Sequence, residues 1–548
     1  MNGATGQSDK TLYVGDIVTM DDENTIAEAL VVSGDRIEFV GDLAAARDAA
    51  GPEARVVELG DKALLPGFVD GHGHLGLETL FHRHVSLDPP PVGTVESMAD
   101  LKAALAAGLE QGSLVDGWLL GRNYDDAMLS EARQPTRADL DEVSAEVPIA
   151  IGHASGHLGV LNSAALQALG FDENSVDPDG GVIRRREGSR EPDGVLEEKA
   201  WIENALPRLP RPTPAELIQD LAAAQELYLS YGWTTIQEGA TIPALMELLQ
   251  AGNKAGLLKA DVVMFPKEPE APEQVKDLHP DDGYNGRLRV GGVKVILDGS
   301  PQGRTAWLSE PYFRAPNGEP DSYRGYPAYP DEEVDTMVAA AHKQGWQVLA
   351  HCNGDAAIQQ FIDAARHARA DAGRDGTDRD FVIIHSQTAR EDQLDAMRDV
   401  GLMPSFFVTH VYFWGDWHRD VVLGPERGSR ISPTRSALDR GIRFTTHNDT
   451  PILPPWPMTL VWAAVVRKTR SGQVLGDDQR ISVEQALRAI TIDAAYQYGE
   501  EAHKGSLEPG KRADLVILSA NPYDVDPQEL RDLVVRETIS RGETVYSG

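Results

Sequence analysis

The feature that most constrains the fold is a regular alternation of apolar, strand-like runs with amphipathic helical segments in the middle of the chain. Helices are predicted at 215–229, 331–343, 356–370 and 391–400. Counting from the run before His72 gives eight strands, at 63–69, 233–237, 261–265, 292–299, 347–351, 381–385, 403–407 and 442–446. Strands and helices that alternate in this way form a parallel sheet with crossover helices. Eight such units predict an α/β fold, the TIM (β/α)8 barrel, with its reactive residues at the carboxyl ends of the strands.

The two ends of the chain have a different sequence pattern, in which short apolar runs are bounded by Gly and Asp. The runs are 12–14, 29–32, 36–40, 515–518 and 543–546. Such runs are typical of β-hairpins. They predict a small β-sandwich domain formed by residues 1–62 and 500–548, with the barrel at 63–499. The segment at about 80–213 is too long for a loop and is predicted to be an insertion after the first barrel strand.

The composition limits the classes of partner that we expect and indicates the cellular location. The chain has 548 residues and a net charge of −35, which argues against nucleic acid or an anionic membrane as a partner. Its one cysteine, Cys352, excludes an intrachain disulfide. The first ten residues lack a signal pattern and no stretch of 18 apolar residues occurs. We therefore expect a cytoplasmic protein without membrane contact, and a homodimer remains an open alternative.

The predicted strands end on side chains that bind metals. They carry imidazole, carboxylate or amine groups at the end of a barrel where enzymes of this fold do their chemistry. The set is His72, His74, Lys294, His351, His385 and Asp449. The first two point the same way because side chains alternate along a strand. The sequence therefore predicts a metal centre at the carboxyl ends of the strands.

Lys294 is the unusual member of this set, because it lies between Val293 and Val295 in an apolar run. A buried ammonium is costly. Carboxylation by CO2 would convert the amine into an anionic carbamate able to bridge two cations. A salt bridge to a barrel carboxylate such as Asp449 is the alternative, and each histidine taken alone could be a core residue.

Longer stretches carry a resemblance to a known family. They are LLPGFVDGHGHL, GWLLGRNYDD, LNSAALQALG, GGVKVILDGSPQGRTAWLSEPY, HCNGDAAI, FVIIHSQ, NDTPI and GSLEPGKRADLVIL. Through them the chain resembles the amidohydrolase superfamily in its binuclear form with a carboxylated lysine. Within that superfamily it is most similar to family 3, which includes N-substituted formamide deformylases.

The resemblance implies a TIM barrel with a terminal β-sandwich and two divalent metal ions, for which zinc is the expected element. It implies that one metal is bound by His72, His74 and Asp449, the other by His351 and His385, and that carboxylated Lys294 bridges them. The run from His447 to Pro451 departs from the family pattern, which leaves the surroundings of Asp449 open.

A metal pair of this kind predicts hydrolysis of a small-molecule amide. Two cations about 3.5–4 Å apart can share a hydroxide that attacks a carbonyl. Asp449 would be the catalytic acid–base group, which takes a proton and passes it to the leaving nitrogen. The alternatives are ester, lactone or phosphoester hydrolysis at the same metals, deamination, and a binding protein without catalysis. Deaminases of the superfamily typically carry His-x-x-Glu after strand five, and no glutamate follows His351 at that spacing.

An aromatic run at 406–418 predicts a wall for an apolar or aromatic substrate group. Ordinary loop packing is an equally good explanation of the same residues. The predicted substrate-binding residues are Phe406, Trp414, Arg122, Tyr124, His157 and Trp307.

Overall fold

The computed structural model of the chain describes residues 10–126, 128–154, 156, 158–178, 181–316, 319–372 and 376–548. The chain divides into two compact units. The first unit comprises Met1–Gly76, Gln225–Pro451 and Pro455–Gly548, and the second comprises Leu77–Ala224 and Ile452–Pro454. No helix among the described residues combines the length and apolar character that crossing a lipid bilayer requires.

Strands from both ends of the chain pair in one seven-stranded sheet of the first unit. In spatial order they are Glu543–Ser547, Val535–Ser540, Leu515–Leu518, Arg55–Pro66, Lys10–Val18, Ile26–Ser33 and Arg36–Gly41. The central strand, Arg55–Pro66, is parallel to Lys10–Val18 and antiparallel to Leu515–Leu518. Buried side chains from both ends, such as Ile17, Leu64 and Ile517, share one core cluster. The β-sandwich itself stays a prediction.

Two parallel sheets make up the rest of the strands of the first unit. One has the order Leu288–Val290, Asp261–Pro266, Trp233–Thr241 and Phe68–Val69, and the other Gly292–Ile296, Gln347–Cys352, Phe381–His385, Met403–Phe406 and Thr445–Thr446. Several strands are buried along their whole length, as expected of parallel strands covered on both faces. The mixed α/β character predicted from the alternation is therefore present.

The predicted first strand, 63–69, changes partners in its middle. Residues up to Pro66 pair in the seven-stranded sheet, and only Phe68–Val69 joins a parallel sheet. The change falls at Gly67, whose N–H donates to Asp514 O at 2.8 Å, whereas Phe68 N–H donates to Gly232 O at 2.9 Å. The Pro-Gly pair that separates Leu65 from Phe68 marks this change, but the apolar pattern does not reveal which sheet each part will join.

The helices of the first unit connect and cover these sheets. They are Leu43–Ala50, Pro243–Lys254, Ala271–Val275, Asp331–Lys343, Asp355–Ala372, Glu391–Val400, His410–Phe413, Gly415–Trp417, Gly424–Gly428, Thr434–Asp439, Pro457–Val466, Val483–Arg488 and Ile492–Gln497, with a π-helix at His418–Val422 and 3-10 turns at Asp378–Asp380, Asp477–Gln479 and Pro527–Asp532. Two predicted helices, Asp331–Lys343 and Glu391–Val400, are confirmed to the residue. The first has three acidic residues in its first turn, and the second ends at left-handed Gly401.

A cluster of buried charges lies at the amino ends of the parallel strands. Its centre is Lys504, whose Nζ lies 2.8 Å from Asp261 Oδ2, 2.8 Å from Glu500 Oε2 and 2.9 Å from Thr235 Oγ1. Arg512 and Arg541 also pair with Asp261, the first residue of its strand. We call Asp261, Glu500, Lys504, Arg512 and Arg541 the basal ion-pair cluster.

The second unit contains its own sheet and helices. The strand order is Gly181–Arg185, Pro192–Glu198, Leu158–Leu161, Ile149–His153, Trp118–Tyr124 and Val85–Ser86, and Leu114–Val115 pairs with Trp118–Tyr124. Its helices are Met98–Gln111, Arg137–Asp141, Ser163–Leu169 and Lys199–Ile202, with a 3-10 turn at Leu206–Arg208. Two further helices, Leu75–Phe81 and Pro214–Ser230, extend across the unit boundaries.

Candidate metal centre

His72 and His74 follow the two-residue strand Phe68–Val69 and approach the same carboxylate. Asp449 Oδ1 lies 3.5 Å from His72 Nε2 and 3.1 Å from His74 Nε2. His72 is fully buried and Asp449 is 9% exposed. The two imidazoles therefore present their Nε2 atoms to one oxygen, although both residues lie beyond the end of the strand whose alternation was used to predict this.

His351 and His385 form a second pair at the ends of two adjacent strands, Gln347–Cys352 and Phe381–His385. His385 Nε2 lies 2.9 Å from His351 Nδ1 and 3.9 Å from Asp449 Oδ2. The strands are parallel and in register, with Cys352 opposite His385, which brings the two histidines side by side. Asp449 thus lies between the two histidine pairs.

Lys294 reaches the same space from the strand Gly292–Ile296. Its side chain is 1% exposed, and its Nζ lies 3.0 Å from His72 Nε2. Burial lowers the pKa of Lys294 to about 7, against a smaller opposing effect of Asp449. No ion pair of Lys294 occurs among the described residues, so the salt bridge to Asp449, which was the alternative to carboxylation, does not form in this structure.

The donor set fits divalent cations. One ligand atom each from His72, His385 and Asp449 lie within 4.8 Å of one another. Burial lowers the pKa of His351 to about 4 and holds the pKa values of His72 and His385 well below their ordinary value, which favours neutral rings with one unprotonated nitrogen each. Asp449 Oδ1 is buried and accepts no hydrogen bond from any described residue. Imidazole nitrogen and carboxylate oxygen are the donors that zinc takes.

Two outer contacts orient these histidines, and neither was predicted. Gln237 Oε1 is hydrogen-bonded to His72 Nδ1, while its amide nitrogen donates to Gly71 O at 3.1 Å. The Gln237 oxygen must therefore be the acceptor, so His72 Nδ1 carries the proton and the lone pair lies on Nε2. His351 Nε2 lies 3.1 Å from Gly299 O, a pure acceptor, which leaves Nδ1 facing His385.

His447 is a further buried histidine that the sequence reasoning left unassigned. Its Nε2 lies 3.1 Å from His385 Nδ1, and its Nδ1 lies 2.8 Å from Ser405 Oγ. Burial lowers the pKa of His447 to about 3. The signal was its position two residues before Asp449, which repeats the spacing of His72 and His74.

The aromatic residues of the predicted wall divide between the hydrophobic core and the surroundings of His385. Phe406 is fully buried, with its ring 5.3 Å from that of Phe444. Its neighbour Phe407 packs 5.9 Å from His385 and 6.2 Å from Trp414, because successive residues point to opposite sides of the strand. The backbone N–H of Trp307 donates to Asp298 Oδ2 at 3.0 Å, and its side chain is half-buried.

Two predicted substrate-binding residues belong to the second unit. Arg122 Nη1 pairs with Glu78 Oε2 at 3.0 Å, and Tyr124 donates its hydroxyl to Gln134 Oε1 at 2.7 Å. Tyr124 is fully buried. His157 lies outside the described residues. The substrate roles of all of these residues stay predictions.

The fold of the chain is similar to that of solved metal-dependent hydrolases. A metal-dependent hydrolase of uncharacterised activity from Pyrococcus horikoshii has a TM-score of 0.74 at 24% identity, covering 98% of this chain and all of its own. One from Pyrococcus furiosus has a TM-score of 0.72 at 26% identity, covering 95% of this chain and all of its own. The mixed α/β fold is thus that of metal-dependent hydrolases.

The family follows from the sequence. The model of the amidohydrolase family matches residues 55–546, and the chain belongs to that family. An N-substituted formamide deformylase from Arthrobacter pascens is 29% identical, and the match covers 99% of each chain. The family resemblance found in the sequence is confirmed.

Proposed function

We propose that the chain hydrolyses a C–N bond next to a carbonyl, in an amide or an N-substituted formamide. The observation that carries this proposal is the convergence of two histidine pairs and Lys294 around Asp449 in one buried space. Family membership supports a metal-dependent hydrolase. The deformylase relative supports the choice of bond.

We further propose that the two parallel sheets close into one TIM barrel. Glu268 N–H donates to Lys294 O at 2.8 Å, which connects the sheets on one side. On the other side, a Cβ atom added to Gly71 would lie 2.9 Å from Thr445 Oγ1, so these segments are neighbours. Leu288–Val290 and Gly292–Ile296 then count as one interrupted strand, and the barrel has eight.

The proposed metal centre divides the ligands into two groups. His72, His74 and Asp449 would hold one cation, and His351 and His385 the other. A Lys294 ammonium beside His72 would repel a cation there, whereas a carbamate on Lys294 would provide two anionic oxygens. The absence of an ion pair for Lys294 among the described residues supports the modified form.

A bound pair of divalent ions would supply Lewis acidity and an activated water. The work of the chain itself falls on Asp449, whose carboxylate contacts both histidine pairs. Burial alone would raise the pKa of Asp449, but the neighbouring His74 ring, 3.1 Å away, holds its pKa below the ordinary value. The ionised carboxylate would take the proton of the attacking water and deliver it to the amine nitrogen as the C–N bond breaks.

The aromatic side chains near His385 support a substrate with a ring on one side of the scissile bond. Phe407 packs beside His410 with ring centroids 4.4 Å apart, and His410 packs 4.5 Å from Trp414. Trp414 is half-buried and leaves part of its ring for another group. We propose this wall as the site of a hydrophobic N-substituent.

Metal analysis and a substrate panel test the proposal together. We expect two zinc ions per chain, and turnover of N-benzyl and N-aryl formamides or amides that is lost after chelation and restored by zinc. The panel also includes lactones, phosphoesters and aminopurines. Turnover confined to one of those three classes, or full activity with well under one metal per chain, would contradict the proposal.

A further inference from the structure

Gln237 and Glu238 are neighbours on the strand Trp233–Thr241, and both reach toward the first histidine pair. Gln237 already has a defined role, because its amide oxygen fixes the proton of His72 on Nδ1. Glu238 has no role in the proposed mechanism. Its side chain is completely buried, which is costly for a carboxylate without a partner.

Only one oxygen of Glu238 is accounted for. Glu238 Oε2 accepts a hydrogen bond from Gly76 N–H. Among the described residues nothing donates to Glu238 Oε1, which is buried. His74 Nδ1 is also buried, and no described residue forms a hydrogen bond with it. The structure therefore contains an acceptor without a donor and a ring nitrogen without a partner.

The backbone places these two side chains opposite each other. His74 and Glu238 face one another in an antiparallel bridge, and Gly239 N–H donates to Gly73 O at 2.9 Å. Side chains of directly opposed residues lie on the same side, with Cβ atoms about 4.5–5.5 Å apart. The backbone at Gly239 also lies close to the His72 ring. A Cβ atom added to Gly239 would lie only 2.4 Å from His72 Cε1.

We propose that Glu238 is the positioning residue of His74, with its Oε1 accepting a hydrogen bond from His74 Nδ1–H. This contact would keep the lone pair of His74 on Nε2, which faces Asp449. The inference rests on the proposed function, because it concerns a ligand of the proposed metal centre. Histidine ligands commonly donate their second N–H to a carboxylate or carbonyl, which raises ligand basicity and fixes the ring.

The two orienting residues differ in charge, so the two histidines are unequal ligands. Gln237 gives His72 a neutral acceptor, whereas Glu238 gives His74 an anionic one. An anionic acceptor increases electron density on the ring and strengthens the bond to a cation. Loss of Glu238 should therefore weaken metal binding at the site that includes His74.

The test measures the zinc dissociation constant of Glu238→Gln and Glu238→Ala by competition with a chelator. A glutamine offers one acceptor oxygen for two N–H donors, Gly76 and His74, so one of them loses its partner. We expect zinc affinity to fall about 10-fold in Glu238→Gln and about 100-fold in Glu238→Ala. Activity of both variants should recover as free zinc is raised, which a purely structural defect would not show.

Glu500→Gln is the matched control, because Glu500 is also a buried glutamate but belongs to the basal ion-pair cluster. It should lose thermal stability and keep wild-type zinc affinity. If Glu238→Ala does not fold, the isosteric Glu238→Gln decides. Unchanged zinc affinity in a folded Glu238 variant would overturn this inference alone. A wild-type protein that binds no zinc would overturn the proposed function and this inference with it.

Discussion

Two lysines of the first unit are equally buried and have opposite surroundings. Lys294 and Lys504 are both 1% exposed. Burial alone would lower the pKa of Lys504, but Asp261 and Glu500 outweigh it and raise the pKa above the ordinary value. Lys294 faces the His72 ring instead, and burial lowers its pKa to about 7. Burial sets the cost of the charge, and the neighbours decide whether the charge is kept.

The two lysines also lie at opposite ends of the parallel strands. Lys504 pairs with Asp261 at the start of a strand, whereas Lys294 belongs to the group that includes His385 at the end of a strand. In barrel enzymes the amino end generally serves stability and the carboxyl end serves chemistry. We therefore expect substitution by alanine to affect activity at Lys294 and stability at Lys504.

The largest effect is expected for Lys294→Ala. If Lys294 carries the proposed carbamate, its loss should remove several kcal/mol of transition-state stabilisation, so that kcat falls by about 10³-fold or more. The zinc content of the variant should fall with it, and acetate or propionate should restore part of the activity by replacing the carbamate. Compared between metal-free proteins, the free energy of unfolding should fall only by the packing of one buried side chain, since Lys294 makes no ion pair among the described residues. Wild-type turnover in this variant would rule out the carbamate.

Lys504→Ala should produce the reverse pattern. Removing the ammonium leaves Asp261 and Glu500 buried with fewer partners, which should cost about 3–5 kcal/mol of unfolding free energy. Zinc content and kcat per folded molecule should stay at the wild-type values. Urea unfolding, with zinc analysis of the folded fraction, measures both quantities. A loss of zinc without a loss of stability would contradict the separation of the two ends.

The smallest expected effect is a shift in the pH at which the protein unfolds in acid. Burial would raise the pKa of Asp261, but Lys504, Arg541 and Arg512 together lower its pKa to about 2. Its folded pKa is below the unfolded value near 4, so its contribution to stability is full above about pH 4 and is lost as the pH falls through about 2. Without Lys504 the folded pKa should rise, and Lys504→Ala should unfold at a higher pH.

Circular dichroism across pH 2–5 locates the acid midpoint, with Lys294→Ala as the matched control. We expect the midpoint to move upward for Lys504→Ala and to stay at the wild-type pH for Lys294→Ala. An equal shift in both variants would mean that the two lysines are not distinguished by their neighbours.

The elements that were predicted most accurately are those whose ends are set by residues next to them in the sequence. Phe381–His385 was predicted to the residue because an apolar run ends there in a histidine. The predicted strand 442–446 shrank to Thr445–Thr446, since strand extent depends on pairing with a neighbour. His351 and His385 could be singled out because the end of an apolar strand is visible in the sequence.

The contacts that orient the ligands were not predictable in the same way. Gln237 and His72 are 165 residues apart, and nothing local to either residue signals the hydrogen bond between them. Lys504 lies in an ordinary polar stretch, and its partner Asp261 is 243 residues away. Side-chain pairs at such separations become visible only after the strands have been placed.

The seven-stranded sheet has a consequence for how the chain is made. Its central strand, Arg55–Pro66, lies between Lys10–Val18 and Leu515–Leu518, so one of its edges stays open until Leu515–Leu518 has been synthesised. At ordinary rates of synthesis that interval is about 20–90 s. During this time the nascent chain presents an unpaired strand edge to other nascent chains. We therefore expect the paired sheet, and the protection of that edge from aggregation, only in chains that extend past Leu518.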